Sequence, residues 1–298
     1  MRGSKEKDIT QKALEMYNDV FADIINVLLF NGENVVTEDS LTDVLQESIL
    51  KIDGGIRAQY RDIAKYWYNS KIKLSMFGLE NQTKPEKRMP LRVFGYDGTE
   101  YVKQAKKENN KEVLYPVITL VLYFGYNSRW NQPKSLFELL EIDERIKPYV
   151  NDFKMNLFEI AYLDREKIDM FKSDFWILAD YLYQMRVNKD YVAGDTVIEH
   201  VDELLMLMSA MTKDYRFEET INEVKGKEYV TMCEVLDRVE ARGMEKGMEK
   251  GIAKGREEGI KEGTVQVLIS LVKDGILSVS DAAKRAGMSE EGFRGYIK

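Results

Sequence analysis

Residues 72–82 read IKLSMFGLENQ, an apolar segment that ends in polar residues. In a β-strand, alternate side chains point to the same face of the sheet. The even-numbered residues of this segment therefore share one face, which begins apolar and ends in Glu80 and Gln82. The residues before it, from 56 onward, form short apolar or alternating runs that predict either two strands or a helix-like turn followed by a strand.

The residues after this strand predict a helix and a second strand. Residues 89–104 are interpreted as a helix that begins after Pro90, or as a passage from strand to helix. Residues 115–125 form the best candidate for a buried strand, because their apolar run is almost continuous. Strand, helix and strand in this order predict an α/β core.

The rest of the chain is predicted to be helical. An amphipathic helix is expected over residues 5–30, where apolar residues recur at spacings of three and four and Asn31-Gly32 ends the pattern. Beyond Gly125 the spacing is also helical, over residues 135–140, 156–162, 174–187, 196–211 and 217–242.

Cysteine and histidine content excludes several kinds of active site. The chain of 298 residues has one cysteine, Cys233, and one histidine, His200. It can form no internal disulfide, no cysteine-rich metal site and no multi-histidine zinc site. Because catalytic triads use histidine as the base and no motif surrounds His200, such hydrolases are disfavoured. Catalysis would depend on carboxylates, amides, Lys, Arg or Tyr, with a hard, oxygen-binding cation as cofactor.

Charge is unevenly distributed. The net charge is −7, yet residues 57–112 carry 13 Lys/Arg against 7 Asp/Glu, whereas residues 1–56 carry 5 against 11. A positive block in an acidic protein is typical of a phosphate-facing surface, although solvated helix faces carry such runs too. No apolar run approaches the roughly 20 residues that cross a bilayer, so we expect a cytoplasmic protein with no membrane partner.

Two acidic residues in the positive block are the strongest catalytic candidates. Asp62 and Glu80 belong to neighbouring predicted strands, and a close pair of carboxylates is costly unless a divalent cation neutralises it. Mg²⁺ (or Mn²⁺) bound there could activate water and offset charge on a phosphodiester oxygen. Gln82, on the same strand face as Glu80, would orient the water. The alternative is that Asp62 simply pairs with a neighbouring arginine.

Several motifs together resemble one family. They are residues 21–26 (FADIIN), 61–65 (RDIAK), 78–83 (GLENQT) and 89–97 (MPLRVFGYD), with 116–125, Trp130 and the glycine-rich tail. This combination, over almost the whole chain, resembles the recombination-promoting (Rpn-type) nucleases, also labelled transposases, of the PD-(D/E)XK superfamily. The resemblance implies a mixed sheet flanked by helices and a bacterial, metal-dependent DNA endonuclease associated with recombination and mobile elements.

The resemblance also implies roles for individual residues. Asp62 matches the first motif acid and Glu80 the second, with the backbone carbonyl of Asn81 as a further metal ligand. Gln82 stands where the superfamily usually has lysine, whose charge an amide cannot carry, and no proline precedes Asp62. Asp23 resembles the auxiliary acid that helps to hold the metal.

Other residues are implied with secondary roles. Weaker candidates for the auxiliary acid are Glu15, Asp19 and Glu47. DNA phosphates would be bound through charge-assisted hydrogen bonds by Arg61, Lys65, Lys84, Arg88 and Arg92.

The C-terminal region contains an internal repeat. Glycines recur every four residues from Gly243 to Gly263. Glycine costs about 1 kcal/mol relative to alanine inside a helix, so the repeat predicts a helical or semi-flexible connector with a small-residue stripe, or a flexible linker. In the tail, the spacing of Ala283, Gly287 and Phe293 matches a helix-turn-helix, or else a helical hairpin for self-association.

These features predict four parts: a nuclease-like core over 1–130, a helical extension over 131–242, the connector over 243–263 and a helical tail over 264–298. A homodimer is expected, because two DNA strands of opposite polarity are most readily cut by a two-fold pair of sites. The other function left open is a DNA-binding or assembly protein that retains the nuclease fold, cleaves weakly or not at all, and oligomerises through its tail.

Overall fold

A computed structural model of the chain describes residues 14–44, 47–52, 55–60, 62–69, 72–106, 114–212 and 214–297. The chain divides into two compact units, Met1–Leu236 and Asp237–Lys298. Each helix in the described ranges is too short or too polar to cross a membrane.

A five-stranded mixed sheet forms the centre of the first unit. The strands of the chain are β1 (Leu41–Asp43), β2 (Glu47–Ile52), β3 (Gly55–Tyr60), β4 (Ile63–Asn69), β5 (Ile72–Gln82), β6 (Val117–Tyr123) and β7 (Asn156–Glu159). The sheet order is β1-β4-β5-β6-β7, antiparallel up to β5 and parallel from β5 to β7. Strands β2 and β3 form a separate antiparallel hairpin.

Helices flank the sheet and make up the C-terminal half. They are α1 (Asn18–Phe30), α2 (Met89–Lys106), α3 (Leu136–Leu139), α4 (Arg165–Ile168), α5 (Phe175–Val187), α6 (Val201–Thr212), α7 (Arg216–Val224), α8 (Met232–Lys273), α9 (Val279–Ala286) and α10 (Glu290–Arg294). Short 3-10 turns occupy Glu38–Ser40, Lys147–Tyr149 and Ile160–Tyr162. The predicted fold class, a mixed sheet flanked by helices with a helical C-terminal half, is confirmed.

Helix α2 connects the parallel strands β5 and β6 and packs against β6. Its buried residues recur every three or four positions, so that one face of the helix covers the sheet. Met89 and Val93 lie in one apolar cluster with Val121, Tyr123 and Trp130. The start of α2 is thereby fixed next to the end of β5.

The N-terminal helical region contains a break that the periodicity did not reveal. Leu14 and Glu15 are helical, but Tyr17 has an extended backbone (φ −67°, ψ 134°) and α1 begins only at Asn18. Residues 1–13 of the predicted helix lie outside the described residues. Because the helix is interrupted, Glu15 does not share a helical stripe with the residues of α1.

The prediction of a helix over 156–162 was wrong. Residues Asn156–Glu159 form β7, which pairs in parallel with Leu120–Tyr123 of β6, and a single 3-10 turn follows. Apolar spacing in so short a segment fits a strand as well as a helix, and here pairing at the edge of the sheet determines the outcome.

The second unit has a small core of its own. Leu268 and Ile269 of α8 pack with Ala283 of α9 and with Phe293 of α10, which is completely buried. Gly287 ends α9 with φ 67°, a conformation that favours glycine. Residues 243–263, with the glycine repeat, lie entirely within α8.

Candidate active site

Strand pairing brings Asp62 to the end of β5. Strands β4 and β5 are antiparallel with Ile63 opposite Leu79, so Asp62, one residue before β4, lies beside Glu80. The backbone N–H of Asn81 donates to Asp62 Oδ2 over 2.8 Å. The carboxylate of Asp62 is therefore fixed at the point where β5 becomes polar.

Glu80 is completely buried and faces α2. Arg92, in the first turns of α2, donates from Nη2 to Glu80 Oε1 and from Nη1 to Glu86 Oε2, the latter over 2.7 Å. The Tyr96 hydroxyl, one turn further along, accepts from Arg92 Nη2 at 3.1 Å. This side of the site thus combines a buried carboxylate with a guanidinium group and a phenol.

Asn81 faces the opposite side of the sheet and contacts Glu15. Its Nδ2 donates to Glu15 Oε2 over 2.6 Å. Burial raises the pKa of Glu15 to about 8; the hydrogen bond from Asn81 lowers this pKa, and the charge of Asp62 raises it. Asn81 Oδ1 is buried and accepts no hydrogen bond from the described residues.

Asp62 is the electrostatic link between the two sides. Its charge raises the pKa of Glu15 and also contributes to the raised pKa of Tyr96, after burial and the charge of Glu80. A charge must lie close to both Glu15 and Tyr96 to shift the pKa of each. Glu15, Asp62, Glu80 and Asn81 therefore surround the end of β5, with Glu15 and Glu80 on opposite faces of the sheet.

Gln82 is half-buried and lies on β5, two residues beyond Glu80. Alternation along the strand places the two on the same face. The backbone carbonyl of Gln82 accepts from the N–H of Phe124 at 2.8 Å, which extends the parallel pairing with β6.

Asp23 is not brought to this site. Its Oδ2 accepts hydrogen bonds from the backbone N–H groups of Lys172 and Ser173 and from the Ser173 hydroxyl, at 2.7–2.8 Å. It lines a cleft of about 420 Å³ whose other acidic residues are Asp19, Glu38, Asp39 and Glu199. Glu15, which lies before the break at Tyr17, contacts Asn81 instead. The side chain of Glu47 lies outside the part of the chain that the structure describes.

Of the predicted phosphate-binding residues, the structure places two on the surface near the site. Lys84 and Arg88 are exposed in the connection between β5 and α2, as is the neighbouring Lys87. Arg92 is held by carboxylates, as described above. Arg61 lies outside the described residues.

Lys65 is not available to DNA. It is 1% exposed, and its Nζ donates to Asp43 Oδ1 at 2.5 Å and to the Met16 carbonyl at 2.7 Å. Pairing of β4 with β1 places Asp43 opposite Lys65, a contact that spacing along the chain does not indicate.

The ligand atoms around the end of β5 are of the type that a hard cation prefers, although Glu15, Asp62 and Glu80 do not bring their carboxylate oxygens within 4.8 Å of one another. Glu15, Asp62, Glu80 and Asn81 offer only oxygen ligands, which suit Mg²⁺ or Mn²⁺, and the amide oxygen of Asn81 is buried without a donor in the described chain. The carboxylates are separated by the Asn81 side chain and by Arg92.

Among the described residues, the three potential ligands whose donor atoms do lie within 4.8 Å of one another are Asp19, Glu199 and His200. There, His200 Nε2 lies 3.0 Å from Asp19 Oδ2 and its ring stacks on Tyr17 at 3.7 Å, so the histidine has partners within the protein.

Comparison with known proteins identifies the family. No curated protein and no solved structure gives a significant match. The model of the family described as "Putative transposase, YhgA-like" matches residues 41–216. This range, more than half of the chain, contains the whole five-stranded sheet together with Asp62, Glu80 and Arg92. The chain therefore belongs to the YhgA-like transposase family.

Proposed function

We propose that this protein is a metal-dependent DNA endonuclease that hydrolyses phosphodiester bonds in the cytoplasm and serves recombination or the movement of genetic elements. The observation that carries the proposal is the Asp62 carboxylate, held by the Asn81 N–H beside the buried Glu80. Membership of a transposase family supports a reaction on DNA.

The roles of the residues follow from their chemistry. Asp62, Glu80 and the Asn81 backbone carbonyl would hold Mg²⁺ (or Mn²⁺), with Glu15 as the auxiliary acid. The cation would neutralise charge and lower the pKa of a water molecule. Gln82 would orient that water by hydrogen bonding. Lys84 and Arg88 would bind flanking phosphates on the exposed side of the site.

Hydrolysis forms one bond between a water oxygen and phosphorus and breaks one ester bond between phosphorus and oxygen. The water gives up a proton, and the leaving oxygen takes a proton from solvent. The water proton would pass to solvent or to Glu15 in its deprotonated form; burial raises the pKa of Glu15 to about 8, so Glu15 must first lose its own proton.

The experiment is cleavage of supercoiled plasmid by wild type, Asp62→Ala and Glu80→Ala with Mg²⁺, Mn²⁺ or EDTA. We expect loss of supercoiled DNA with wild type and metal only. Asp143→Ala, which removes an acid paired with Arg145 at a distant, exposed position, is the matched control and should cleave normally. Full cleavage by both Asp62→Ala and Glu80→Ala would contradict the proposal.

A second candidate function is DNA binding or assembly without efficient cleavage, through a homodimer. The favouring observation is a row of exposed apolar side chains on α8: Met244, Met248, Ile252 and Ile260. If this reading holds, the purified protein binds DNA in a salt-sensitive manner and is dimeric, but plasmid remains supercoiled with either metal.

A further inference from the structure

A phosphodiester that enters this site meets a concentration of negative charge. Asp62 and Glu80 are both carboxylates, and Glu80 is buried. Gln82 lies on the same strand face as Glu80, but its amide carries no charge. A site that stabilises charge on a phosphate needs a fixed positive group close to these acids.

Arg92 is positioned to be that group. Its Nη2 donates to Glu80 Oε1, and Nη1 and Nε donate to Glu86 and Tyr96 over 2.7 and 3.3 Å. The planar fork is therefore oriented by three partners. Yet the side chain is 33% exposed, so it connects the buried carboxylate with the surface from which DNA would approach.

The arginine also keeps its charge. Unlike a buried lysine, a guanidinium group is not neutralised near physiological pH. Because the guanidinium group has five N–H bonds, the same side chain can donate to a carboxylate and to a phosphate at the same time.

We propose that Arg92 is a catalytic residue, which supplies to the scissile phosphate the positive charge that Gln82 cannot carry. The inference rests on the proposed function. As water oxygen bonds to phosphorus and the ester bond breaks, negative charge develops on the phosphate oxygens. Arg92 donates hydrogen bonds to those oxygens, while the water proton passes to a carboxylate and the leaving oxygen takes a proton from solvent.

The test removes the positive charge at Arg92 on α2 and introduces one at Gln82 on β5. Single-turnover plasmid cleavage is measured for wild type, Arg92→Ala, Gln82→Lys and the double variant Arg92→Ala/Gln82→Lys. DNA binding is measured in parallel in EDTA, and circular dichroism establishes that each protein is folded. Lys103→Ala removes one positive charge from the last turn of the same helix and is the matched control.

Arg92→Ala is expected to reduce the cleavage rate about a hundredfold, with DNA affinity changed less than about threefold. Gln82→Lys in that background should restore at least about a tenth of the wild-type rate, because the new ammonium group lies beside Glu80. Lys103→Ala should cleave like wild type. If Arg92→Ala does not fold, the same comparison is made with Arg92→Gln.

Three results would overturn the inference. The first is wild-type cleavage, or faster cleavage, by folded Arg92→Ala or Arg92→Gln. The second is a loss that Gln82→Lys does not recover. The third is an inactive wild type that Gln82→Lys alone activates, which would show that Arg92 does not supply the charge. If wild type cleaves plasmid, Asp62→Ala does not, and substitution of Arg92 leaves the cleavage rate unchanged, only this inference is contradicted. If wild type and all variants are inactive, the proposed function is contradicted as well.

Discussion

Burial strongly perturbs the carboxyl group of Glu15. Its side chain is 1% exposed, and its pKa of about 8 means that the folded protein holds a proton that the unfolded chain, with a pKa of 4.5, releases. A carboxylic acid in this state is uncharged at neutral pH. Only after losing this proton can it bind a cation or accept a proton from water.

This perturbation predicts a pH dependence of stability. Because the folded-state pKa is raised, the contribution of Glu15 is complete below pH 4.5, falls as the pH rises and is lost above about pH 8. One pKa unit corresponds to about 1.4 kcal/mol, so the effect amounts to a few kcal/mol at most. Urea unfolding of metal-free protein at pH 5 and pH 8 should show a smaller pH dependence in Glu15→Gln than in wild type.

The control for this prediction is Glu144→Gln, which changes an acid whose side chain is 80% exposed. Its pH dependence should equal that of wild type. An unchanged pH dependence in Glu15→Gln would show that Glu15 titrates normally.

Gly125 is constrained by the aromatic ring two residues before it. A β-carbon at this position would overlap the Tyr123 side chain. The ring cannot move freely, because its hydroxyl donates to the Ser128 carbonyl at 3.0 Å and it packs edge-on against Trp130. We expect Gly125→Ala to lower the free energy of unfolding by about 1–3 kcal/mol, measured by urea denaturation.

Gly98→Ala is the matched control. Gly98 lies inside α2 and, apart from its chain neighbours and the backbone of its own helix, no atom lies within 4 Å of its β-carbon position. The same substitution there should raise the free energy of unfolding by up to about 1 kcal/mol. Equal effects at the two positions would contradict the steric explanation.

At the level of elements, local periodicity predicts most of the α/β core. The apolar alternation of β5, the amphipathic start of α2 and the continuous apolar run of β6 each specify one element with little outside help. The proximity of Asp62 to Glu80 was predictable for the same reason, since β4, which Asp62 precedes, and β5 are consecutive in the chain and pair directly.

What periodicity could not predict depends on contacts between distant parts of the chain. The break at Tyr17 decides that Glu15, and not Asp23, contacts Asn81. Lys65 is buried because β4 pairs with β1. Arg92 meets Glu80 only because α2 packs back across the sheet. The spacing of residues along the chain does not predict any of these contacts.

The glycine repeat of α8 gives a prediction at this scale. Gly251 and Gly255 are helical, and nothing lies within 4 Å of their β-carbon positions. Replacing both by alanine should raise helix stability by about 1 kcal/mol per site. If a second copy of α8 packs closely on this face, the added methyl groups should also reduce the fraction of dimer, measured by light scattering across a dilution series.

Lys254→Ala lies between the two glycines and leaves them unchanged, so it should leave the dimer intact. A double glycine variant that keeps the wild-type mass would show that the glycine face is not the dimer interface.

For the whole molecule, DNA binding must overcome a net charge of −7. Lys84 and Arg88 are exposed next to the acidic site, within the positive block. Replacing either by alanine should weaken DNA binding for all sequences and reduce the slope of log affinity against log salt by about 1. Fluorescence anisotropy over a salt series measures both; Lys227→Ala, outside the block, should alter neither.

A dimer with one site per subunit predicts how the two DNA strands are cut. Mixed dimers of wild type and Asp62→Ala, obtained by co-expression with two different affinity tags, would contain one intact site. They should nick plasmid and produce little linear DNA, whereas wild-type dimers should linearise it, because each subunit cuts one of two antiparallel strands. Dimers in which both subunits carry Asp62→Ala should do neither. Equal proportions of linear product from mixed and wild-type dimers would mean that a single site cuts both strands in turn.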